Sequence, residues 1–406
     1  MKPSSPDKPA LKVKRVQDLT IAKSKRVLVR VDYNVPLKNG RFEDITRIRE
    51  TLPTLKYLIE SGAKIALISH LGRPKGKPEA KYSLKPAAPQ LEKLLGSPVA
   101  FCGDCAGSAA EKAVAALKPG GVVLLENLRF HAGEEANDPD FAKALARLGE
   151  FFVQDAFGAL HRAHASTAGV PKHLPGCIGF LVQKELEFLD RVMGNPTRPF
   201  LAIIGGAKVS DKLGVLNKLL DRLDGLVIGG GMAYTFLAAQ GISIGKSLLE
   251  KDKTQQAQEV IEKAYAKKVE CLLPADHVVV KEIKPDAETK VTQAMAIPAD
   301  LLGVDIGPHT VEFFTEEIAK ANTIFWNGPM GIFEIDAFSK GSLAIAEAMA
   351  EATKRGAVTI VGGGDSLAVL SKAGLTDRMT HCSTGGGASL ELLEGKTLPG
   401  LQALAH

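Results

Sequence analysis

Four apolar runs in the second half of the chain stop at a glycine turn, after which a helical pattern resumes. They are Pro199-Phe-Leu-Ala-Ile-Ile-Gly-Gly-Ala-Lys208, Gly225-Leu-Val-Ile-Gly-Gly-Gly-Met232, Thr323-Ile-Phe-Trp-Asn-Gly-Pro-Met330 and Ala357-Val-Thr-Ile-Val-Gly-Gly-Gly-Asp365. Strands alternating with helices imply a parallel sheet, whose carboxyl ends gather the connecting loops. Glycines at those ends let backbone amides and helix N-termini approach a phosphate, so the repeated turn predicts a nucleotide bed.

The first half repeats the alternation with different loop chemistry. Strands are expected at Val27–Val31, Lys64–Ser69, Val122–Leu125 and Phe151–Gln154, with helical stretches between them such as Thr46–Ile59. The segments after these strands carry Asp32, Asn34, His70, Arg73, Arg129, His161, Arg162 and His164, and Arg47 opens a helix. Arginine forks suit carboxylate and phosphate recognition, so this half reads as a site for a compact acidic molecule.

With 406 residues the chain exceeds what one core usually organises. The expected fold is therefore α/β: two tandem Rossmann-like three-layer domains with parallel sheets, joined by an interdomain hinge helix. The boundaries are a disordered extension over 1–15, an N-terminal domain over 16–178, the connecting helix over 179–193 and a C-terminal domain over 194–394. The tail, 395–406, is expected to pack back on the N-terminal domain. In Phe180–Met193 the helical spacing puts Val182, Leu186, Leu189 and Met193 on one face, and Gly194-Asn-Pro196 ends the run. An ordinary surface helix of either domain is the alternative reading.

Every apolar run is cut by Gly, Pro or charge far short of the roughly twenty residues a membrane span needs. The first ten residues are basic and Pro-rich with no apolar segment behind them, unlike a secretory signal. Five cysteines, an odd number, fit reduced thiols and a cytoplasmic protein. Cys102-Gly-Asp-Cys105 is a C-x-x-C pair without the second pair of a zinc site, and reads as two incidental thiols. The net charge of +5 is mild and scattered, which disfavours nucleic acid and favours small anions.

The familiar nucleotide signatures are missing. Gly241-Ile-Ser-Ile-Gly-Lys-Ser247 is one residue short of a P-loop and lacks its leading strand, so a turn is expected. None of the three triple-glycine runs, at Gly229, Gly362 and Gly385, completes G-x-G-x-x-G. What remains is Lys208 and Lys212, four apart at an expected helix opening, and Asp365, a single carboxylate suited to a Mg2+ that keeps water and phosphate ligands. A helix N-cap is the alternative for Asp365. Ser383-Thr-Gly-Gly-Gly-Ala-Ser389 is a further amide cluster at a helix start. His161-Arg-Ala-His164 lacks the additional ligands of a metal site, and no Ser-His-Asp order stands out.

With these residues in place, the chain from about Val16 onward closely resembles the phosphoglycerate kinase family. The matching segments are Arg30–Pro36, Ser69–Pro74, Glu126–Phe130, Asp155–Gly158, His161–Thr167, Gly205–Lys212, Trp326–Glu334, Gly362–Asp365 and Ser383–Ser389. The resemblance implies that Asp32, Asn34, Arg47, His70, Arg73, Arg129 and Arg162 bind 3-phosphoglycerate or 1,3-bisphosphoglycerate. It implies that Gly206, Lys208, Lys212, Gly230, Asn327, Pro329, Glu334, Gly362, Gly363, Gly364, Asp365 and Ser366 hold ADP or ATP with Mg2+. Glu334 is then the ribose contact, Asp365 the metal contact, and Arg47, Lys208 and Gly386 the catalytic set. Met330, Ile332 and Ser366 depart from the commoner family residues without removing a functional group.

An acyl phosphate has a carboxylate leaving group, so its transfer to ADP needs no general acid, only in-line alignment and cations around the migrating group. That agrees with a site of Arg, Lys, Mg2+ and helix N-termini. The implied protein is a cytoplasmic monomer with small-molecule substrates and neither nucleic-acid nor membrane partners. Two rivals remain: a hinge-bending binding protein, which would need a signal peptide and would not need the two lysines and carboxylate, and a nicotinamide dehydrogenase, weakened by the missing fingerprint.

Overall fold

Two six-stranded sheets, parallel throughout, carry the strand and helix alternation. The computed structural model describes residues 12–405 except 22, 36, 39, 40, 43 and 44, with only the backbone of Lys38 and Arg41. In the first sheet the strands lie in the order Val99–Cys102, Val122–Leu125, Lys64–Ile68, Arg26–Arg30, Phe151–Gln154, Gly176–Ile178. The chain enters this sheet at Arg26–Arg30, then crosses to Lys64–Ile68 on one side and later to Phe151–Gln154 on the other. That reversal opens a crevice at the carboxyl end of Arg26–Arg30.

The second sheet is ordered Glu270–Leu272, Gly225–Ile228, Phe200–Ile204, Thr323–Asn327, Val358–Gly362, His381–Cys382. Its reversal falls between Phe200–Ile204 and Thr323–Asn327, which pair in register from Thr323 with Phe200 to Asn327 with Ile204. This is the strand order of dinucleotide-binding sheets, reached without their glycine fingerprint.

The central strands are apolar on both faces because helices cover both: Val27, Leu28 and Val29 are fully buried, as are Ala202, Ile203 and Ile204. All four strands expected in the first half form, to within one residue. Two were missed. Val99–Cys102 is half exposed at the sheet edge, and Gly176–Ile178 has three residues, too few to show a period. A three-stranded antiparallel sheet, Lys290–Val291 with His277–Val280 and Leu302–Ile306, also has no counterpart in the sequence reading.

The stretch expected as one helix over Thr46–Ile59 is two, Thr46–Glu50 and Leu52–Glu60. Pro53 lies in the first turn of the second, where its missing N–H costs nothing, and Thr51 at the break donates to Ile48 O at 2.8 Å. The Phe180–Met193 helix has the expected ends. Its buried stripe is instead Val182, Glu185, Leu189 and Val192, because Leu186 and Met193 are only half-buried. Gly241–Ser247 is a turn, as expected.

Two compact units divide the chain, one reaching Glu187 and taking in Thr397 onward, the other Phe188–Lys396. The division falls inside the Phe180–Met193 helix. In the first unit Gly400 N donates to Leu160 O at 2.9 Å. Val13 bridges Ala405 and Arg15 bridges Ile178, so ordered chain begins before the boundary expected at Val16; residues 1–11 lie outside the described residues. The five cysteines are free, and no helix among the described residues is long and apolar enough to cross a membrane.

Candidate functional site

In the first unit the parallel sheet delivers its strand ends to one place. Arg30 closes the first strand at 1% exposure and makes three donations: Nε to Ser166 Oγ at 2.9 Å, Nη1 to Val31 O, and Nη2 to His70 Nδ1 at 3.0 Å. A guanidinium only donates, so His70 Nδ1 must accept and the ring proton sits on Nε2. Burial lowers the His70 pKa far below its ordinary value, which agrees with a neutral ring. Asp32, 3.9 Å from His70 Nδ1, therefore takes its real counter-charge from Arg47, whose Nη1 is 2.7 Å from Asp32 Oδ2. Burial opposes the Asp32 carboxylate, but Arg47 and Arg30 help outweigh it, and its pKa ends below the usual range.

Around this pair Asn34 N donates to Asp32 Oδ1 and Gly72 N donates to Asn34 Oδ1, tying the first two loops together. Arg129 is buried and donates from Nη1 to Gly72 O at 2.7 Å. Its Nε lies 3.2 Å from Glu135 Oε1 at an angle that makes no hydrogen bond, leaving one buried donor unused. Arg162 Nε lies 3.1 Å from His161 Nε2. His164 is lowered to about 4, first by burial and then by Arg129, Arg30 and Arg162. The same three guanidinium groups act on His70. Groups on separate loops thus converge on one electropositive basin, which a carboxylate or phosphate would complete.

The structure brings Asp32, Asn34, Arg47, His70, Arg129 and Arg162 to that basin, while Arg73 is exposed, next in the chain to Gly72. Sequence reasoning missed Arg30, Glu134 and Ser166. Glu134 is fully buried, accepts from Ser166 Oγ at 2.6 Å and Ser166 N at 3.0 Å, and has its pKa raised by burial. The available signal was Arg30 itself, a charge within the apolar run Val27–Val31.

In the second unit the glycine turns serve two purposes. A Cβ on Gly230 would meet Pro329 O at 2.6 Å and Gly206 N at 2.7 Å, and one on Gly205 would meet Pro329 O at 2.3 Å. These glycines let neighbouring turns touch backbone to backbone. Packing thus accounts for more of the glycine than the sequence implied, and Gly230 is glycine for that reason. Cβ positions on Gly206, Gly364 and Gly386 meet nothing within 4 Å, so a ligand could approach there.

The expected helix opening at Lys208 is displaced. The helix is Leu213–Leu219 with Lys212 at its N-cap, and Lys208 sits exposed in the irregular segment before it. Lys212 Nζ donates to Asn327 Oδ1 and its pKa is lowered by burial, with Asp211 and Asp365 opposing. Asn327 is 1% exposed and its Nδ2 has no partner in the protein. Such an orphaned donor, beside Gly362 and Gly363, fits an anionic ligand. Asp365 is exposed in the first turn of the Gly364–Ala373 helix, whose N-cap is Gly363, so Asp365 does not cap it. Ser366 is fully buried and its Oγ accepts from Gly328 N at 2.6 Å, while Pro329 O accepts from Gly206 N at 2.9 Å. Both therefore brace the turns. Glu334 is exposed, and Gly386 precedes the Gly387–Leu393 helix.

The family model described as phosphoglycerate kinase matches residues 16–396. Phosphoglycerate kinase of Dictyoglomus turgidum is 56% identical over 382 residues, 94% of this chain and 96% of that protein. That of Chloroherpeton thalassium is 53% identical over 397 residues, 98% of this chain and 100% of that protein. The solved phosphoglycerate kinase of Coxiella burnetii is 44% identical, with a TM-score of 0.85 over 97% of this chain and 99% of that one.

Proposed function

The chain belongs to the phosphoglycerate kinase family, and on that premise we propose how its residues share the work. The reaction is reversible phosphoryl transfer from 1,3-bisphosphoglycerate to ADP, giving ATP and 3-phosphoglycerate. The enzyme is a phosphotransferase that uses a carboxyl group as acceptor.

The observation that carries the assignment is the basin in which Arg30, Arg129 and Arg162 all bear on His70 and His164. A triose that carries a phosphate and a carboxylate or acyl phosphate supplies the missing negative charge. Asp32, Asn34, His70, Arg73, Arg129 and Arg162 bind it, with Arg30 holding His70 in the tautomer that presents Nε2–H. Arg47, paired with Asp32 and 30% exposed, is the mobile cation for the migrating phosphoryl group. In the second unit Lys212 and the unpartnered Asn327 Nδ2 point to the nucleotide phosphates, with Lys208 and the open turns at Gly206, Gly364 and Gly386 completing the bed. The exposed carboxylate of Asp365, within the field of Lys212, fits Mg2+, which when bound would offset charge on the nucleotide phosphates. The two reactants are assigned to different units, so transfer requires a closure, for which the Phe180–Met193 helix is the pivot. The exclusion of water then protects the acyl phosphate from hydrolysis. The protein acts as a monomer in the cytoplasm, where its five free thiols remain reduced.

The test supplies ATP, Mg2+ and 3-phosphoglycerate, traps the product with glyceraldehyde-3-phosphate dehydrogenase and follows NADH consumption, with an EDTA control. Turnover needing both substrates and the metal is expected. Its absence in folded protein would reduce the chain to a binding protein.

A further inference from the structure

The pair Cys102-Gly-Asp-Cys105 lacks a second cysteine pair in the sequence, yet the fold supplies a different companion. Strands Val99–Cys102 and Val122–Leu125 are parallel neighbours, in register from Val99 with Val122 to Cys102 with Leu125. Their outgoing turns therefore lie side by side, one carrying Asp104 and Cys105, the other leading through Leu128–Phe130 to His131. A carboxylate oxygen of Asp104, Cys105 Sγ and an imidazole nitrogen of His131 lie within 4.8 Å of one another.

The three groups are held rather than loose. His131 Nε2 is 2.8 Å from Asp104 Oδ1, and its ring stacks on Phe141 with centroids 5.0 Å apart. Asp104 Oδ1 also accepts from the amides of Cys105 and Ala106. Cys105 is fully buried, whereas the Asp104 and His131 side chains are 46% and 37% exposed. A cavity of about 760 Å³, walled by Pro86, Pro89, Glu126 and Phe130, opens onto Asp104 and His131. The cavity thus reaches two of the three groups, with the Cys105 thiol buried beside them.

We propose that Asp104, Cys105 and His131 form a three-ligand site for a borderline-soft divalent cation of the Zn2+ type, with the fourth coordination position open to the cavity. One sulfur, one nitrogen and one oxygen donor suit tetrahedral Zn2+ and do not suit Mg2+ or Ca2+, which take oxygen. On binding, the Cys105 thiol releases its proton to solvent and its thiolate joins the metal. The imidazole shifts its proton through solvent from Nε2, where it is donated to Asp104, to Nδ1 and so frees the Nε2 lone pair; the cation takes the place of the hydrogen bond between His131 and Asp104. The bound ion would brace the turn that also carries Arg129, two residues before His131.

The test titrates the nucleotide-free full chain with Co2+ as a spectroscopic stand-in, then displaces it with Zn2+. A thiolate-to-cobalt charge-transfer band with tetrahedral visible absorption is expected. The band should be lost in Cys105→Ser, retained in Cys102→Ser, and its Co2+ affinity should fall at least about 10-fold in His131→Asn. Kinase turnover should be unchanged in all three, showing that they fold. Should Cys105→Ser fail to fold, the half-exposed His131→Asn decides alone. No band in the parent protein, a band that survives in Cys105→Ser, or unaltered affinity in His131→Asn would each overturn the site.

Discussion

Arg30 and Arg47 show how two arginines of one basin divide their work by burial. Arg30 has its donors committed to Ser166, His70 and Val31, so it is scaffold and field at once. Arg47 is 30% exposed and paired with Asp32, so it can exchange that carboxylate for a phosphoryl group. Arg47→Ala is therefore expected to lower kcat by about 100-fold or more while altering the KM for 3-phosphoglycerate far less. Steady-state kinetics check this, and an unchanged kcat would remove Arg47 from the transfer step. The sequence revealed Arg47 through the family resemblance, while Arg30 showed only as a charge within an apolar run, which does not by itself say that the side chain is buried. Burial is a property of the whole sheet.

The Phe180–Met193 helix was legible in its extent and misread in its face. Apolar residues at helical spacing gave its length, yet Glu185 occupies the buried stripe where Leu186 was expected. Its N-terminus is held from elsewhere in the unit: Asp155 Oδ1 accepts from the amides of Leu181 at 3.0 Å and Val182 at 3.3 Å, and Thr54 Oγ1 from Phe180 N at 2.9 Å. Asp155→Ala leaves two buried amides unsatisfied and should cost about 1–3 kcal/mol in urea unfolding.

Burial also raises the Asp155 carboxyl to about 7. The folded value lies above the unfolded one, so the native state holds a proton that the unfolded chain releases. That contribution is full below about pH 4 and is lost as the pH rises through about 7. Asp155→Asn keeps the accepting oxygen and cannot ionise. Relative to the parent it should gain roughly 1–3 kcal/mol between pH 5 and pH 8, and a flat difference would show a carboxyl already ionised in the fold.

At the scale of the whole molecule, each unit has its own sheet and its own core, and each carries one half of the candidate chemistry. Asp365→Ala should weaken Mg-nucleotide binding by about 10-fold or more and leave 3-phosphoglycerate binding within about twofold by calorimetry. Equal loss of both ligands would contradict the division. If the Phe180–Met193 helix is the pivot of closure, the radius of gyration in solution scattering should fall when Mg-ATP and 3-phosphoglycerate are both present, and less with either alone. An invariant radius would place the productive geometry in the substrate-free protein.

The sequence by itself determined the two parallel α/β sheets, because buried strands and covering helices impose their own periods on neighbouring residues. Its ordered motifs also identified the family. The tertiary structure decided what local pattern cannot carry: that the second sheet takes the dinucleotide-binding order, that Gly230 lets neighbouring turns touch, that His70 is a neutral acceptor for Arg30, and that His131 meets Asp104 and Cys105. Each of these depends on groups far apart in the chain, brought together by strand order. Strand order is set by the competition among all the chain's burial surfaces at once.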